Sequence, residues 1–369
     1  MKVECSKENL VESIAIAEKT TGKNLSLPVL GCVLLDATTK GLLKIRATNI
    51  DLGIEITVPS KIIEEGVAVV PGNILHNVVT SMYDSNMVTF TLEGMNLLVS
   101  TPRSSTVIKS FPQDDFPTLP EVKKTDITFD INTEEFRKGM QAVWYSASTT
   151  SIKQELASIY VYTYDKKLFF VATDSFRLAE KTLLSKKGLD FEPVLIPIRN
   201  AIEIIKVFEY IGNKDVSVHL NSNQMIFVSD TVYVTSRLID GNFPDYKQII
   251  PKTFATEVVL LKQDLINVLK KINIFSDKSN QVTFDIQPSK KKITLQSQNK
   301  DVGETKETLE AAITGDDLRI NFNHKYIGDA LQSVNSDSIS LLFTGLSKPM
   351  IIKGVSDNSF LYLVMPMNK

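Results

Sequence analysis

The sequence is short of several things that would classify it quickly. It has two cysteines, Cys5 and Cys32, too few for a disulfide framework or a four-ligand zinc site. Its three histidines, His76, His219 and His324, are widely scattered, and each reads as a structural or surface histidine. No run approaches the ~18 apolar residues that a membrane helix needs. The opening MKVECSKENL has no apolar signal core. These features lead to the expectation of a cytoplasmic protein with no membrane partner. There is no basic excess either, with 41 Lys+Arg against 43 Asp+Glu and a formal net charge of −2. A protein that grips nucleic acid with its whole surface carries such an excess, so that mode is excluded. A segregated basic face is not, because net charge does not report distribution.

Catalytic signatures are also missing. The chain has no GxxxxGKS or GxxxxGKT phosphate loop and no GxGxxG, HExxH, CxxC or GxSxG. The acidic pair Asp114-Asp115 lies in SFPQDDFPTLP, a proline-punctuated stretch that reads as a solvated linker. No cofactor is expected. Two readings compete with the one developed below. One is a metal-dependent nucleic-acid enzyme using Asp114, Asp115 or Asp174, which nuclease or nucleotidyl-transfer activity would reveal. The other is a repeat scaffold for protein partners only, which retention on nicked circular DNA would exclude.

What the chain does have is repetition. LKIRATN, LFFVATD and ITLQSQN end at Asn49, Asp174 and Asn299, 125 residues apart each time. Each is a strand-like run closed by small and polar residues. Each is followed by a strand end and a helical pattern, in VVPGNILHNVVTSM, LIPIRNAIEIIKVF and INFNHKYIGDALQSV. There the apolar stripes are Ile74, Val78 and Met82, then Ile202, Ile205 and Phe208, then Tyr326, Ala330 and Val334. Each is preceded by another helical pattern, near Ser6, Asn132 and Leu261, and Ser6 and Asn132 are expected N-caps. These helices bury Leu10, Ile14 and Ala17, then Phe136, Met140, Val143 and Trp144, then Leu265, Val268, Leu269 and Ile272. Short alternating strands such as MVTFTL, VSVHL and VTFDI lie between the helices. The 369 residues therefore read as three homologous α+β domains of ~120 residues, each with two helices packed on antiparallel sheet.

Similar modules joined in series build a curved array, and closing the array gives a ring. Basic residues lie opposite the apolar stripes at Lys7, Lys19, Arg137, Lys138, Arg199, Lys206, Lys262, Lys271 and Lys325. Helices lining a hole with these cations would reconcile a net charge of −2 with DNA held by enclosure.

The residues resemble those of the bacterial DNA polymerase III beta subunit family, the sliding clamps, from end to end. The resemblance is carried by SLPVLGCVLL at Ser26–Leu35, ATNIDL at Ala47–Leu52, DDFPTLP at Asp114–Pro120 and VATDSFRLAE at Val171–Glu180. It continues through SRLIDGNFPDYKQIIP at Ser236–Pro251 to VMPMNK at Val364–Lys369. It implies three tandem DNA-clamp domains, at residues 1–122, 126–250 and 251–369. It implies a head-to-tail homodimeric ring around double-stranded DNA, placed there by a clamp-loader ATPase. That ring is not catalytic itself. It tethers the replicative polymerase alpha subunit and other proteins bearing a clamp-binding motif.

The resemblance also assigns sites. The partner-peptide groove falls on Leu156, Thr173, Ser175, Phe176, Arg177, Leu178, Pro244, Gln248, Ile249, Tyr326, Leu363, Met365, Pro366 and Met367. Such an apolar pocket can bury two or three peptide side chains at ~1.5–3 kcal/mol each, and methionine adapts to many partners. The family commonly has Gly-His in place of Ser175-Phe176 and Arg in place of Gln248, so the peptide preference is expected to differ. DNA-facing positions carried over are Lys23, Asn24, Asn73, Lys153 and Gln154, beside the helical Arg137, Lys138, Arg199, Lys206, Lys262 and Lys271. Asn24 and Asn73 stand where arginine is often found, and Gln154 and Glu155 where aromatics occur. Ring closure would pair Thr106 and Ile108 of one subunit with Ile274 and Phe275 of the next, with Thr106 in place of an aromatic.

Overall fold

In a computed structural model the structure describes residues 1–22, 27–124, 126–150, 152–184 and 189–367. Among these residues six α-helices occur: α1 (Lys7–Thr20), α2 (Gly72–Ser81), α3 (Thr133–Gln141), α4 (Ile198–Ile211), α5 (Lys262–Ile274) and α6 (His324–Leu331). All strand pairings among the described residues are antiparallel, as in strands Lys2–Ser6 and Leu52–Glu64. No helix among the described residues is long and apolar enough to cross a membrane.

The chain forms two compact units, Met1–Arg137 with Arg199–Leu238, and Lys138–Ile198 with Ile239–Lys369. The units cut across the thirds read from the sequence, and the strand ladders show why. In the first unit, Leu52–Glu64 pairs with Val232–Arg237, placing Leu52 opposite Ser236. That ladder joins the first third to part of the second in one twelve-stranded sheet. In the second unit, Arg177–Leu184 pairs with Phe360–Val364, placing Arg177 opposite Val364. That ladder builds a nine-stranded sheet, and a separate four-stranded sheet belongs to the same unit.

Alternation dictates the strands. In Gln281–Gln287 the side chains of Val282, Phe284 and Ile286 are buried and those between them are not, the two-residue period of a sheet with one apolar face. Phe136, Phe208 and Phe227 meet edge to face in the first unit, with centroids 5.1–6.1 Å apart. Gly139 of α3 is required by packing, since a Cβ there would stand 2.2 Å from the Phe170 ring.

The helix starts repeat too. The first N–H of α1, α3 and α5 donates to a carbonyl much later in the chain: Lys7 to Asn86, Thr133 to Lys214, Lys262 to Asp337. Asn132 caps α3 as expected, accepting from the Glu135 N–H at 3.2 Å. Ser6, expected as the cap of α1, makes no side-chain cap hydrogen bond. Two expected stripes are corrected. Of the stripe Ile74, Val78 and Met82, Met82 is buried, but the buried side chains of α2 are Leu75 and Val79, while Ile74 is 45 % exposed. After α3 the chain turns into a 3-10 segment at Trp144–Ser146, and Trp144 faces solvent.

Candidate functional site

The site grows from a turn in the second unit. Strand Lys167–Thr173 ends and strand Arg177–Leu184 begins within four residues. The Thr173 hydroxyl donates to the Arg177 carbonyl at 2.7 Å and accepts from the Ser175 N–H at 3.2 Å. Asp174 Oδ1 accepts from the N–H groups of Phe176 and Arg177, both at 3.0 Å. These bonds hold Ser175 at φ 77° and push Phe176 outward, 63 % exposed.

Arg177 anchors what lies beside the turn. Its Nε donates to Asp174 at 2.9 Å and its Nη1 to Asp329 of α6 at 2.7 Å. Its guanidinium lies 4.1 Å from the Tyr326 ring centre and 6.0 Å from that of Tyr145. Arginine suits this role because a planar guanidinium can stack and donate sideways at once. Tyr145 donates to Ser333 at 3.1 Å, and burial pushes its hydroxyl pKa well up.

The C-terminal segment docks on the same turn. The Met365 N–H donates to the Phe176 carbonyl and the Met367 N–H to the Asn321 carbonyl, both at 2.8 Å. Beneath lies a core of Tyr162, Val171, Leu178, Tyr246, Leu342, Ile351 and Leu363. Loop Phe243–Ile250 is fixed to this core by buried Tyr246, whose hydroxyl shares a 2.8 Å hydrogen bond with Tyr162 and donates to Glu180.

The expected groove residues thus play different parts. Leu178, Leu363 and Thr173 are buried and form floor rather than open surface. Phe176, Ile249 and Met365 are the exposed apolar groups, with Pro244, Ser175 and Gln248 also exposed. Leu156, Arg177, Tyr326, Pro366 and Met367 are half-buried. Gln248 is turned onto Asp245 at 2.8 Å, and the Leu156 carbonyl accepts from the Ser148 N–H at 2.8 Å. The loop anchors Phe243 and Tyr246 were missed by sequence reading, although aromatics flanking the solvent-facing Pro244 carried the signal.

The expected DNA-facing positions are less uniform. Lys23 and Asn24 lie outside the described residues. Asn73, Lys138, Lys153, Gln154 and Arg199 are exposed. Arg137 pairs with Glu134 at 2.6 Å and Glu209 at 3.3 Å, Lys206 with Glu203 at 2.8 Å and Lys271 with Glu307 at 3.0 Å. Lys262 is committed to architecture, since its ammonium donates to the Val334 carbonyl at 2.9 Å, as Lys7 does to Met82.

At the expected ring-closing positions, Ile274 is 63 % exposed and Phe275 half-buried. Ile108 requires correction as a surface contact. It is 3 % exposed and faces its own unit, while Val107 beside it is 61 % exposed. Strand Ser105–Lys109, which carries both, ends the twelve-stranded sheet, and strand Gly303–Glu310 ends the four-stranded one. Of the carboxylates named for the competing enzyme reading, Asp174 is a turn builder and Asp114 and Asp115 sit in an exposed 3-10 turn. The described residues include no grouping of three or more metal-capable side chains.

Helix pairs on antiparallel sheet, an internal repeat and a strand turn capped by the chain's own C-terminal segment define a multi-domain α+β protein of the DNA-clamp class. Three family models match it in order: the N-terminal domain of the DNA polymerase III beta subunit over residues 1–120, the central domain over 130–245 and the C-terminal domain over 247–368. The chain belongs to the DNA polymerase III beta subunit family, the beta sliding clamps. A beta sliding clamp from Synechocystis is 28% identical, with 100% of this chain and 99% of that protein covered. One from Staphylococcus epidermidis is 25% identical over 96% and 94%. The crystal structure of the DNA polymerase III beta subunit from Thermotoga maritima superposes with a TM-score of 0.92 at 27% identity, covering 100% of this chain and 99% of that one.

Proposed function

We propose that this chain is the processivity clamp of a bacterial replicase, with three clamp domains at about residues 1–122, 126–250 and 251–369, following the repeat. Two copies associate head to tail into a ring around duplex DNA, and a separate loader ATPase places the ring. The clamp does no chemistry. It tethers the polymerase alpha subunit and other proteins through short peptides that seat at the turn of Thr173–Leu178 and the segment Leu363–Met367. The protein works in the cytoplasm, at replication sites.

The observation that carries this reading is the ordered match of all three domain families along one chain. The site agrees with it physically. Exposed Phe176, Ile249 and Met365 stand over a closed core, so a short apolar peptide could cover them without unfolding anything. The free edges of strands Ser105–Lys109 and Gly303–Glu310 offer unpaired backbone groups that a second copy can satisfy.

The test is mass in solution together with primer extension on primed circular DNA. A dimer that lengthens the polymerase's products in the presence of a loader is expected. A strict monomer at micromolar concentration that leaves product length unchanged would overturn the proposal.

A further inference from the structure

Behind the loop that carries Pro244, Gln248 and Ile249, one cation is held over aromatic rings. Lys247 lies in the 3-10 turn Tyr246–Ile249. Its ammonium stands 5.4 Å from the ring centre of Tyr162, 5.3 Å from that of Tyr164 and 5.6 Å from that of Phe169. These distances fall within the ~6 Å reach of a cation–π contact. Tyr162 and Tyr164 alternate along strand Ser158–Tyr164 and therefore share a face. Phe169, on the neighbouring strand, stacks on Tyr162 at 4.8 Å and 5°.

The loop thus stands on three feet along one aromatic strip. Phe243 stacks on Tyr160 at 4.7 Å and 4°. Tyr246 shares its hydroxyl with Tyr162 and Glu180. Lys247 is the third foot and the one next to Gln248 and Ile249. Burial works against its charge, but Tyr162, Glu180 and Tyr164 outweigh that and raise its pKa, so the ammonium keeps its proton.

The first third of the chain shows that the fold does not require this arrangement. Its corresponding loop carries Phe116 and Pro117, but the strand positions matching Tyr162, Phe169 and Val171 are Asp36, Lys44 and Arg46. Those side chains pair through Glu55 and with each other. A cavity of about 780 Å³ remains beneath that loop. The aromatic strip and its lysine are thus a feature of the site-bearing third.

We propose that Lys247 is a positioning residue of the peptide groove: its cation, held over Tyr162, Tyr164 and Phe169, fixes Gln248 and Ile249 where a partner peptide meets them. This inference rests on the groove assignment made above. A neutral, unbranched side chain of similar length can still lie on the rings, so the effect belongs to the charge rather than to bulk.

The experiment measures fluorescence anisotropy of a short fluorescein-labelled peptide from the polymerase alpha subunit, titrated with full-length protein. Lys247→Met is expected to weaken binding about 3- to 10-fold, the scale of losing cation–π contacts at an exposed site. Lys247→Arg is expected to bind within about 2-fold of the parent, because a guanidinium also stacks on rings. Lys247→Cys alkylated with (2-bromoethyl)trimethylammonium should recover binding, although its quaternary nitrogen donates no hydrogen bond. The alkylation is selective, since Cys5 and Cys32 are buried and burial pushes both thiols up to about 11. Undiminished binding by Lys247→Met, or no recovery with the quaternary cation, overturns the inference. Deletion of Met365–Lys369 tests the groove separately. Equal peptide affinity after that deletion removes the groove assignment, and this inference with it.

Discussion

At the scale of single residues, the site depends on a turn that the chain builds twice. Thr48, Asn49 and Ile50 repeat Thr173, Asp174 and Ser175 bond for bond. The Thr48 hydroxyl donates to Leu52 at 2.9 Å and accepts from the Ile50 N–H at 3.0 Å, and Asn49 Oδ1 accepts from Asp51 and Leu52. The Arg237 N–H donates to Asp51 at 2.8 Å, as Met365 does to Phe176. The central residue is left-handed in both turns, Ile50 at φ 82° and Ser175 at φ 77°. For a β-branched residue that conformation costs about 1–3 kcal/mol. Ile50 is 54 % exposed, so little packing offsets the strain. Ile50→Gly is therefore expected to stabilise the first unit by about 1 kcal/mol, after allowing for glycine's extra backbone entropy. Urea unfolding checks this, and a lowered midpoint would contradict it. The pattern behind both turns was legible as the 125-residue recurrence of Asn49, Asp174 and Asn299, because side-chain oxygens at those positions make the turn. At Asn299 only the bond to the Asp301 N–H survives, and the next residue is not left-handed. The sequence could not show that, since Asn-Lys and Asn-Ile are equally permissive on paper.

At the scale of elements, periodicity located the helices but did not always choose their buried face. In NILHNVV, Ile74 with Val78 and Leu75 with Val79 are both four-residue spacings, and only packing selects the second. Edge strands pose the same difficulty with a period of two. Thr106 and Ile108 share one face of strand Ser105–Lys109 and Val107 the other, and the resemblance pointed to the inward face. The two faces predict opposite mutational effects. Ile108→Ala removes a buried side chain from the first unit and is expected to cost about 2–5 kcal/mol of unfolding free energy. Val107→Asp removes no buried contact and is expected to shift that free energy by less than about 0.5 kcal/mol. If two copies join at this edge, Val107→Asp should instead turn dimer into monomer, read by analytical ultracentrifugation. A Val107→Asp protein that stays dimeric at micromolar concentration would remove this edge from the interface.

At the scale of the whole molecule, the question is how a chain with a net charge of −2 stays on DNA. Several cations on its helices are already balanced: Arg137 by Glu134 and Glu209, Lys206 by Glu203, Lys271 by Glu307. A protein that neutralises 6–10 phosphates loses about 10³–10⁵ in affinity between 50 and 200 mM salt, because it must release condensed counterions. Each cation already balanced by a carboxylate is one fewer to displace counterions from phosphates, which favours a weak direct grip and easy sliding. In the ring proposed above, retention comes from topology, which salt does not screen. Clamps loaded on a nicked circular duplex should remain through gel filtration as sodium chloride rises, with a loss far smaller than that steep dependence. Cutting the circle once should release them, since a ring can run off an end at any salt concentration. Retention that survives cutting but collapses with salt would mean that the chain holds DNA by charge, and the enclosing ring would have to be given up.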